Sequence, residues 1–174
     1  MEYYDRRSED VIQGHSSYII ENKAGGEVCT FLPVNGEVFG YVRVRDGGQI
    51  RIERLGADPK DEFIDGITVV WTAPIPKGDT AIISWYREAT VYRNPQQFTN
   101  IPPVHAQKNI IFYRIKALAT QATLLPVATR AFPIVNGVKG NMGQNSLWYA
   151  DKPENADTVK KVLEYIGKIE SRSE

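Results

Sequence analysis

Aromatic rings are the residues of this sequence with the clearest chemical use. Five of them end, or lie late in, strand-like runs: Trp71, Trp85, Tyr86, Trp148 and Tyr149. The face of such a ring stacks on a planar base, and this contact is worth roughly 1–3 kcal/mol per base. Trp85 and Tyr86 are adjacent in one strand, so at most one of them reaches a given cavity. The alternative, that these aromatics simply fill the core of a small β domain, stays open.

A polar, Gly-containing loop leads into Trp148. Its sequence is GNMGQNS at 140–146, and its side-chain amides and hydroxyl can hydrogen-bond the edge of a base. A methyl group on the base would add apolar area worth about 25 cal/mol per Å², which favours a modified base over a plain one. The predicted base-binding residues are therefore Trp71, Trp85, Tyr86, Trp148, Asn141, Asn145 and Ser146.

The charges are balanced overall, with 21 basic and 21 acidic residues, but they are unevenly spread. Residues 80–150 carry seven Lys and Arg residues against the single carboxylate of Glu88. A basic surface attracts anions, of which nucleic acid is the commonest large one. A fold that interleaves this segment with the acidic flanks would instead give a mixed surface. The candidate phosphate contacts are Arg43, Arg45, Arg51, Arg87, Arg93, Arg114 and Arg130.

Catalytic constellations are not visible in the sequence. His15 stands beside Ser16 and Ser17, but a nucleophile also needs its base held by a third group. The single cysteine, Cys29, is expected to be a small buried core residue, and with only His15 and His105 a structural zinc site is nearly excluded. We therefore expect no catalytic residue, metal or cofactor in this chain. The start of the sequence lacks the apolar stretch of a signal peptide, and one cysteine fits a cytoplasmic setting.

The elements that position the aromatic and basic residues are predicted to be mostly strands. Asn35-Gly36 is a strong two-residue hairpin signal, and Asp46-Gly47-Gly48 marks a second turn between strand-like runs at 38–44 and 49–53. Alternation along these runs directs Val42, Val44, Ile50 and Ile52 inward. A loop with one helical turn is expected over 94–109, where prolines interrupt the pattern. Further strands are predicted at 67–73, 80–86, 89–93, 110–117 and 122–127.

One helix is predicted, from about 152 to 169. Asp151 and Glu154 have the spacing of a capping box, and apolar residues then recur at helical spacing. Short strands with frequent turns and one terminal helix predict a mainly β fold of the α+β class, built as a small curved sheet or barrel. The length of 174 residues fits a single domain, 1–174, with 170–174 as a tail or linker.

Five stretches together resemble an N-terminal specificity domain of bacterial modification-dependent, type IV-like restriction endonucleases, which often continue into an HNH nuclease domain. These stretches are FLPVNGEVFGYV at 31–42, IRIERLGA at 50–57, GITVVW at 66–71, SWYREATVYR at 84–93 and LWYAD at 147–151. The resemblance implies a PUA-like β-barrel, the group of the EVE, YTH, ASCH and SRA domains. It also implies that a flipped base sits in an aromatic pocket. Any nuclease would be a fused or associated domain, because this chain lacks the HNH histidines.

The sequence thus predicts a non-enzymatic module that binds double-stranded DNA and reads a modified base, 5-methylcytosine or 5-hydroxymethylcytosine. The alternative is a β domain that binds a protein or a small ligand and has no affinity for nucleic acid. Steep loss of binding with salt distinguishes the first from the second.

Overall fold

One long strand organises the sheet. The computed structural model describes residues 29–44, 48–74, 80–135 and 147–172. The six strands over these ranges are β1 (Glu37–Gly40), β2 (Phe63–Pro74), β3 (Thr80–Gln97), β4 (Phe112–Leu118), β5 (Ala122–Leu124) and β6 (Pro133–Ile134). The two α-helices are α1 (Pro103–Gln107) and α2 (Ala156–Glu170).

All pairings in the sheet are antiparallel. β2 pairs along one edge of β3, while β6, β5 and β4 share its other edge in that order, and β1 pairs with β4. The path β1-β4-β3-β2 has two ends, so the sheet is not closed over the residues described here. The prediction of a mainly β fold with a C-terminal helix and a small curved sheet is confirmed.

β3 replaces two strands that the sequence predicts separately. The pairing with β2 jumps from Ala89 to Tyr86, which leaves Arg87 and Glu88 as a bulge. Glu88 has φ of +48°, a left-handed conformation that is unusual for a residue other than glycine. The bulge lets the strand bend without ending, so the break in the sequence pattern is local.

The turn at Asn35-Gly36 forms as predicted, whereas the pair of strands predicted beyond β1 does not. Asn35 and Gly36 have φ of +50° and +82°, and Val34 and Glu37 exchange both backbone hydrogen bonds across them. Two positive φ angles are the signature of a type I′ turn. Beyond β1, residues 41–44 form no strand and Ile52–Leu55 is a 3-10 helix. Of the predicted inward residues, Val42, Ile50 and Ile52 are nevertheless buried, and Val44 is partly buried.

The two faces of β3 pack against different hydrophobic clusters. Ile83 and Tyr86 join the larger cluster, together with Trp71 and residues from β1 and β4. Ile82 and Trp85 join the smaller cluster, which includes Val162 and Ile166 of α2. Strand alternation produces this division, so Trp85 and Tyr86 point to opposite faces as predicted.

α2 lies on the smaller cluster, close to its predicted extent. A 3-10 turn at Pro153–Asn155 precedes the helix, and the side-chain oxygen of Asn155 accepts a bond of 3.0 Å from the Lys152 amide. The predicted capping box of Asp151 and Glu154 is wrong, because the Asp151 carboxylate pairs with Arg54 instead. Across the described ranges, no helix has both the length and the apolar character needed to cross a membrane.

A candidate aromatic cavity at the edge of the sheet

A cavity of about 620 Å³ lies along β2, the strand that ends the path of the sheet. Six consecutive β2 residues, from Ile67 to Thr72, line it, so both faces of the strand reach the cavity. Its other walls come from residues 41–43, from residues 147–150 and from α2. Four aromatic side chains belong to the lining: Tyr41, Trp71, Trp148 and Tyr149.

Trp71 is the most deeply set of these rings. It is only 8 % exposed, and it packs edge-on against Phe31 and Tyr86, with ring centroids 6.4 and 5.6 Å away. Gly40 makes room for it, since a Cβ on that residue would lie 2.7 Å from Trp71 Cζ2. The indole N–H of Trp71 is buried and has no acceptor among the residues described.

Residues 147–150 form the opposite wall, which we call the 147–150 wall. The ring of Trp148 packs on the smaller cluster, whereas Leu147 and Tyr149 pack on the larger one. The wall therefore bridges the two clusters at the place where the cavity opens between them.

Arg54 holds the end of this wall. Its guanidinium lies 4.1 Å from the centre of the Tyr149 ring and also pairs with the Asp151 carboxylate, with Nε–Oδ2 at 2.7 Å and Nη2–Oδ1 at 2.5 Å. The hydrogen bonds from Arg54 hold the pKa of Asp151 below its ordinary value. The Tyr149 hydroxyl accepts a bond of 2.8 Å from the Arg51 amide. Ala150, between Tyr149 and Asp151, has φ of +54°, a strained conformation for alanine.

Two of the predicted stacking residues, Trp71 and Trp148, line the cavity, and two do not. Trp85 is 0 % exposed, and its indole N–H donates to Glu170 Oε1 at 2.9 Å. Tyr86 is equally buried; its hydroxyl donates to the Thr30 carbonyl, and burial raises its pKa well above the ordinary value. The prediction that Trp85 and Tyr86 stack on a base is corrected, because the smaller cluster, with α2, covers Trp85, and the larger cluster covers Tyr86 on the opposite face.

Arg93 and Arg114 serve the fold rather than an open surface. The Arg114 guanidinium is buried and donates to the carbonyls of Arg93 and Gly48, both at 2.9 Å. Burial lowers the pKa of Arg114. The Arg93 guanidinium pairs with Glu53 at 2.8 Å and donates to the carbonyl of Asp61 at 2.9 Å. Arg114 is buried, and the Arg93 guanidinium is turned to acceptors of the chain, so the prediction that they contact phosphates is corrected.

Arg87 and Arg130 also form ion-pair or hydrogen-bond contacts within the chain. Arg87 pairs with Glu170, with Nη2–Oε2 at 2.9 Å, and donates to Thr68 Oγ1 at 3.3 Å. Arg130 donates from Nε to the Leu125 carbonyl at 3.0 Å.

Arg43 and Arg51 remain beside the cavity. Arg43 belongs to its lining, and Arg51 is exposed next to Ile50, another lining residue. The other polar candidates of the sequence, Arg45, Asn141, Asn145 and Ser146, lie outside the described residues. Tyr41, Tyr149 and Arg54 are absent from the predicted set of site residues. For Arg54, the missing signal is a contact with Asp151 across 97 residues of sequence.

Cys29 and His105, which were considered for catalysis, do not line the cavity. Cys29 is buried, as predicted, and burial raises the pKa of its thiol to about 11. His105 is buried in α1, and burial lowers its pKa. The cluster of His15, Ser16 and Ser17 lies outside the described residues.

Comparison with protein families, curated proteins and solved structures finds no match to this chain.

Proposed function

We propose that this chain is a DNA-binding specificity module that holds a base, swung out of the duplex, in the cavity beside β2. The base is a modified cytosine, 5-methylcytosine or 5-hydroxymethylcytosine, and the module directs a fused or associated restriction nuclease in the cytoplasm. The observation that carries the proposal is a single cavity lined by Tyr41, Trp71, Trp148 and Tyr149.

The size and lining of the cavity support a flat, mostly apolar ligand. A volume of 620 Å³ is within the range of about 300–1,000 Å³ that is usual for ligand pockets. Stacking on one or two rings would offset the few kilocalories per mole that base extrusion costs. A 5-methyl group would gain further from apolar neighbours such as Val69 and Leu147.

The charge of the lining supports a ligand that is not a cation. Arg43 is the one charged side chain among the lining residues that are described, and no carboxylate accompanies it there. A neutral base with its flanking phosphates suits such a lining. Arg51, exposed beside the cavity, is the second candidate for a phosphate contact.

Binding of oligonucleotides tests the proposal. Fluorescence anisotropy at fixed salt would compare duplexes that carry cytosine, 5-methylcytosine or 5-hydroxymethylcytosine at one position. We expect tighter binding of a modified duplex and a steep loss of affinity with salt. Equal affinity for all three duplexes would overturn the proposal.

Trp148→Ala tests the cavity itself. Loss of a stacking ring is expected to weaken binding of the modified duplex about fivefold to a hundredfold, given a stacking energy of roughly 1–3 kcal/mol, with little change for the plain duplex. Phe63→Ala is the matched control, because Phe63 is an aromatic residue of β2 that is 49 % exposed and does not line the cavity. Similar losses in both variants would contradict a role for the cavity.

A small apolar ligand is the second candidate, and the part of the lining that α2 contributes favours it. Val159 and Leu163 of α2 line the cavity, and they add aliphatic surface to its aromatic lining. This function predicts no salt-dependent binding of DNA. A thermal shift with planar apolar compounds, in the absence of any effect of DNA, would favour it over the first.

A further inference from the structure

The 147–150 wall supplies four lining residues to the cavity without belonging to a helix or a strand. A wall of this kind has no ladder of backbone hydrogen bonds to set its position. Its position therefore depends on the side chains that hold it.

The polar and stacking contacts that hold the wall come from one 3-10 helix, Ile52–Leu55, and from Arg51 at its N-terminal end. Arg54, on this helix, contacts Tyr149 through its flat face and Asp151 through its edge. The Arg51 amide, at the N-terminal end of the same helix, donates to the Tyr149 hydroxyl. Leu55 lines the cavity, whereas Arg54 does not.

We propose that Arg54 is the positioning residue of the cavity and sets the affinity of its ligand without touching it. Arg54 fixes Tyr149 by stacking and fixes the chain beyond it through Asp151. Trp148 directly precedes Tyr149, so the position of its backbone depends on the same contacts. That the ligand is a modified base rests on the proposed function; that Arg54 orders the wall does not.

The chemistry of arginine suits both contacts at once. A planar guanidinium stacks on a ring with its face while its edge donates two parallel bonds to a carboxylate, and a lysine ammonium does not combine the two. Ala150, between the two contacts, is held at φ of +54°. Removal of Arg54 would let this residue relax to an ordinary conformation, and the wall would move with it.

The order of the wall is measured in the free protein with 5-fluorotryptophan. The chain has three tryptophans, so its ¹⁹F spectrum has three resonances, which Trp→Phe variants assign. In Arg54→Ala we expect the Trp148 resonance to shift or broaden, while that of Trp85, held by Glu170, stays in place. Arg54→Lys should disturb Trp148 in the same way, and it serves as the second variant if the alanine variant does not fold.

The control removes a comparable ion pair elsewhere. Lys116 pairs with Glu37 at 3.3 Å, with side chains about as exposed as those of Arg54 and Asp151, and neither lines the cavity. Lys116→Ala should leave the Trp148 resonance unchanged. An unchanged Trp148 resonance in both folded Arg54 variants, or an equal shift in Lys116→Ala, would overturn the proposal.

Affinity is the second readout. For a duplex with 5-methylcytosine, Arg54→Ala is expected to bind about tenfold more weakly, because an unordered wall must be ordered on binding. An affinity within twofold of the wild type would contradict the proposal. If the wild type itself does not distinguish modified from plain duplex, the proposed function fails, and the ¹⁹F result still decides the role of Arg54.

Discussion

At the scale of single residues, His105 is a polar group in an apolar place. It is fully buried, and its ring packs edge-on to Phe39 and Phe98, with centroids 6.4 and 5.1 Å away. Neither ring nitrogen has a hydrogen-bond partner in the part of the chain that is described. The side chain therefore packs as an aromatic ring, and burial disfavours its protonated form.

Replacement of His105 should stabilise the protein. His105→Phe keeps an aromatic ring and removes two buried, unpaired nitrogens, so the free energy of unfolding in urea should rise by about 1 kcal/mol at pH 8. A marked loss of stability would indicate that the histidine has a partner that the contacts above do not include.

The pH dependence of stability gives an independent test of His105. Burial lowers its folded-state pKa below the ordinary 6.5, so the unfolded chain binds the proton first. Protonation of His105 therefore does not affect the free energy of unfolding well above pH 6.5. As the pH falls below that value, the unfolded chain takes up the proton and the free energy of unfolding decreases. Urea titrations at pH 8 and pH 5.5 should show a smaller difference for His105→Phe than for the wild type, and equal differences would contradict this reasoning.

Trp85 should behave oppositely to Trp148. Trp85→Ala removes a fully buried ring between β3 and α2, so we expect a loss of about 3–5 kcal/mol in the free energy of unfolding. Trp148→Ala should cost much less stability and act on binding instead. Chemical denaturation of the two variants measures both effects, and similar stability losses would mean that Trp148 is also a core residue.

The sequence predicts the facing of these aromatics but not their roles. Alternation correctly separates Trp85 from Tyr86, because that depends only on neighbours in one strand. Which tryptophan is covered depends on where α2 packs on the sheet, and the contact of α2 with β3 joins segments that are distant in sequence. Tyr149, a wall residue, has no local signal that marks it as such.

At the scale of elements, two glycines have contrasting surroundings. A Cβ on Gly40 in β1 would approach Trp71 to 2.7 Å and the Cβ of Ile115 to 3.1 Å, whereas one on Gly167 in α2 would meet nothing within 4 Å. Gly40 thus sets how closely β1 approaches the cavity wall, and Gly167 is a weak point in a helix.

Alanine at each glycine should shift stability in opposite directions. Gly40→Ala overpacks Trp71 and should cost about 1–3 kcal/mol, while Gly167→Ala should add about 0.5–1 kcal/mol through helix propensity. Thermal unfolding of both variants checks the signs. A neutral Gly40→Ala would show that Trp71 has room to move, and its place in the cavity wall would be less fixed than the contacts indicate.

Element boundaries depend on features that a single segment does not reveal. The Asn35-Gly36 turn is correctly predicted because its conformation is local. The capping box of Asp151 and Glu154 fails because Arg54, distant in sequence, takes the carboxylate. The break predicted within β3 is a bulge, since strands on both sides hold the chain in the sheet.

At the scale of the whole molecule, the basic segment 80–150 forms no separate basic face over its described residues, 80–135 and 147–150. Three of its cations, Arg87, Arg93 and Lys116, pair with carboxylates from outside the segment, which are Glu170, Glu53 and Glu37. The fold interleaves the charges, which is the alternative that the sequence left open. Under the proposed function, contacts with DNA are therefore expected around Arg43 and Arg51 rather than along the basic segment.

The wide spacing in sequence of Arg54 and Asp151 has a consequence for the order of folding. β2 and β3 are neighbours in the chain and form their hairpin with little loss of chain entropy, whereas the Arg54–Asp151 pair closes a loop of 97 residues. We expect the hairpin to form early and the wall to dock late, and amide exchange to be faster at residues 147–150 than in β3. A chain with a complete sheet would then give a folded spectrum before the 147–150 wall closes one side of the cavity.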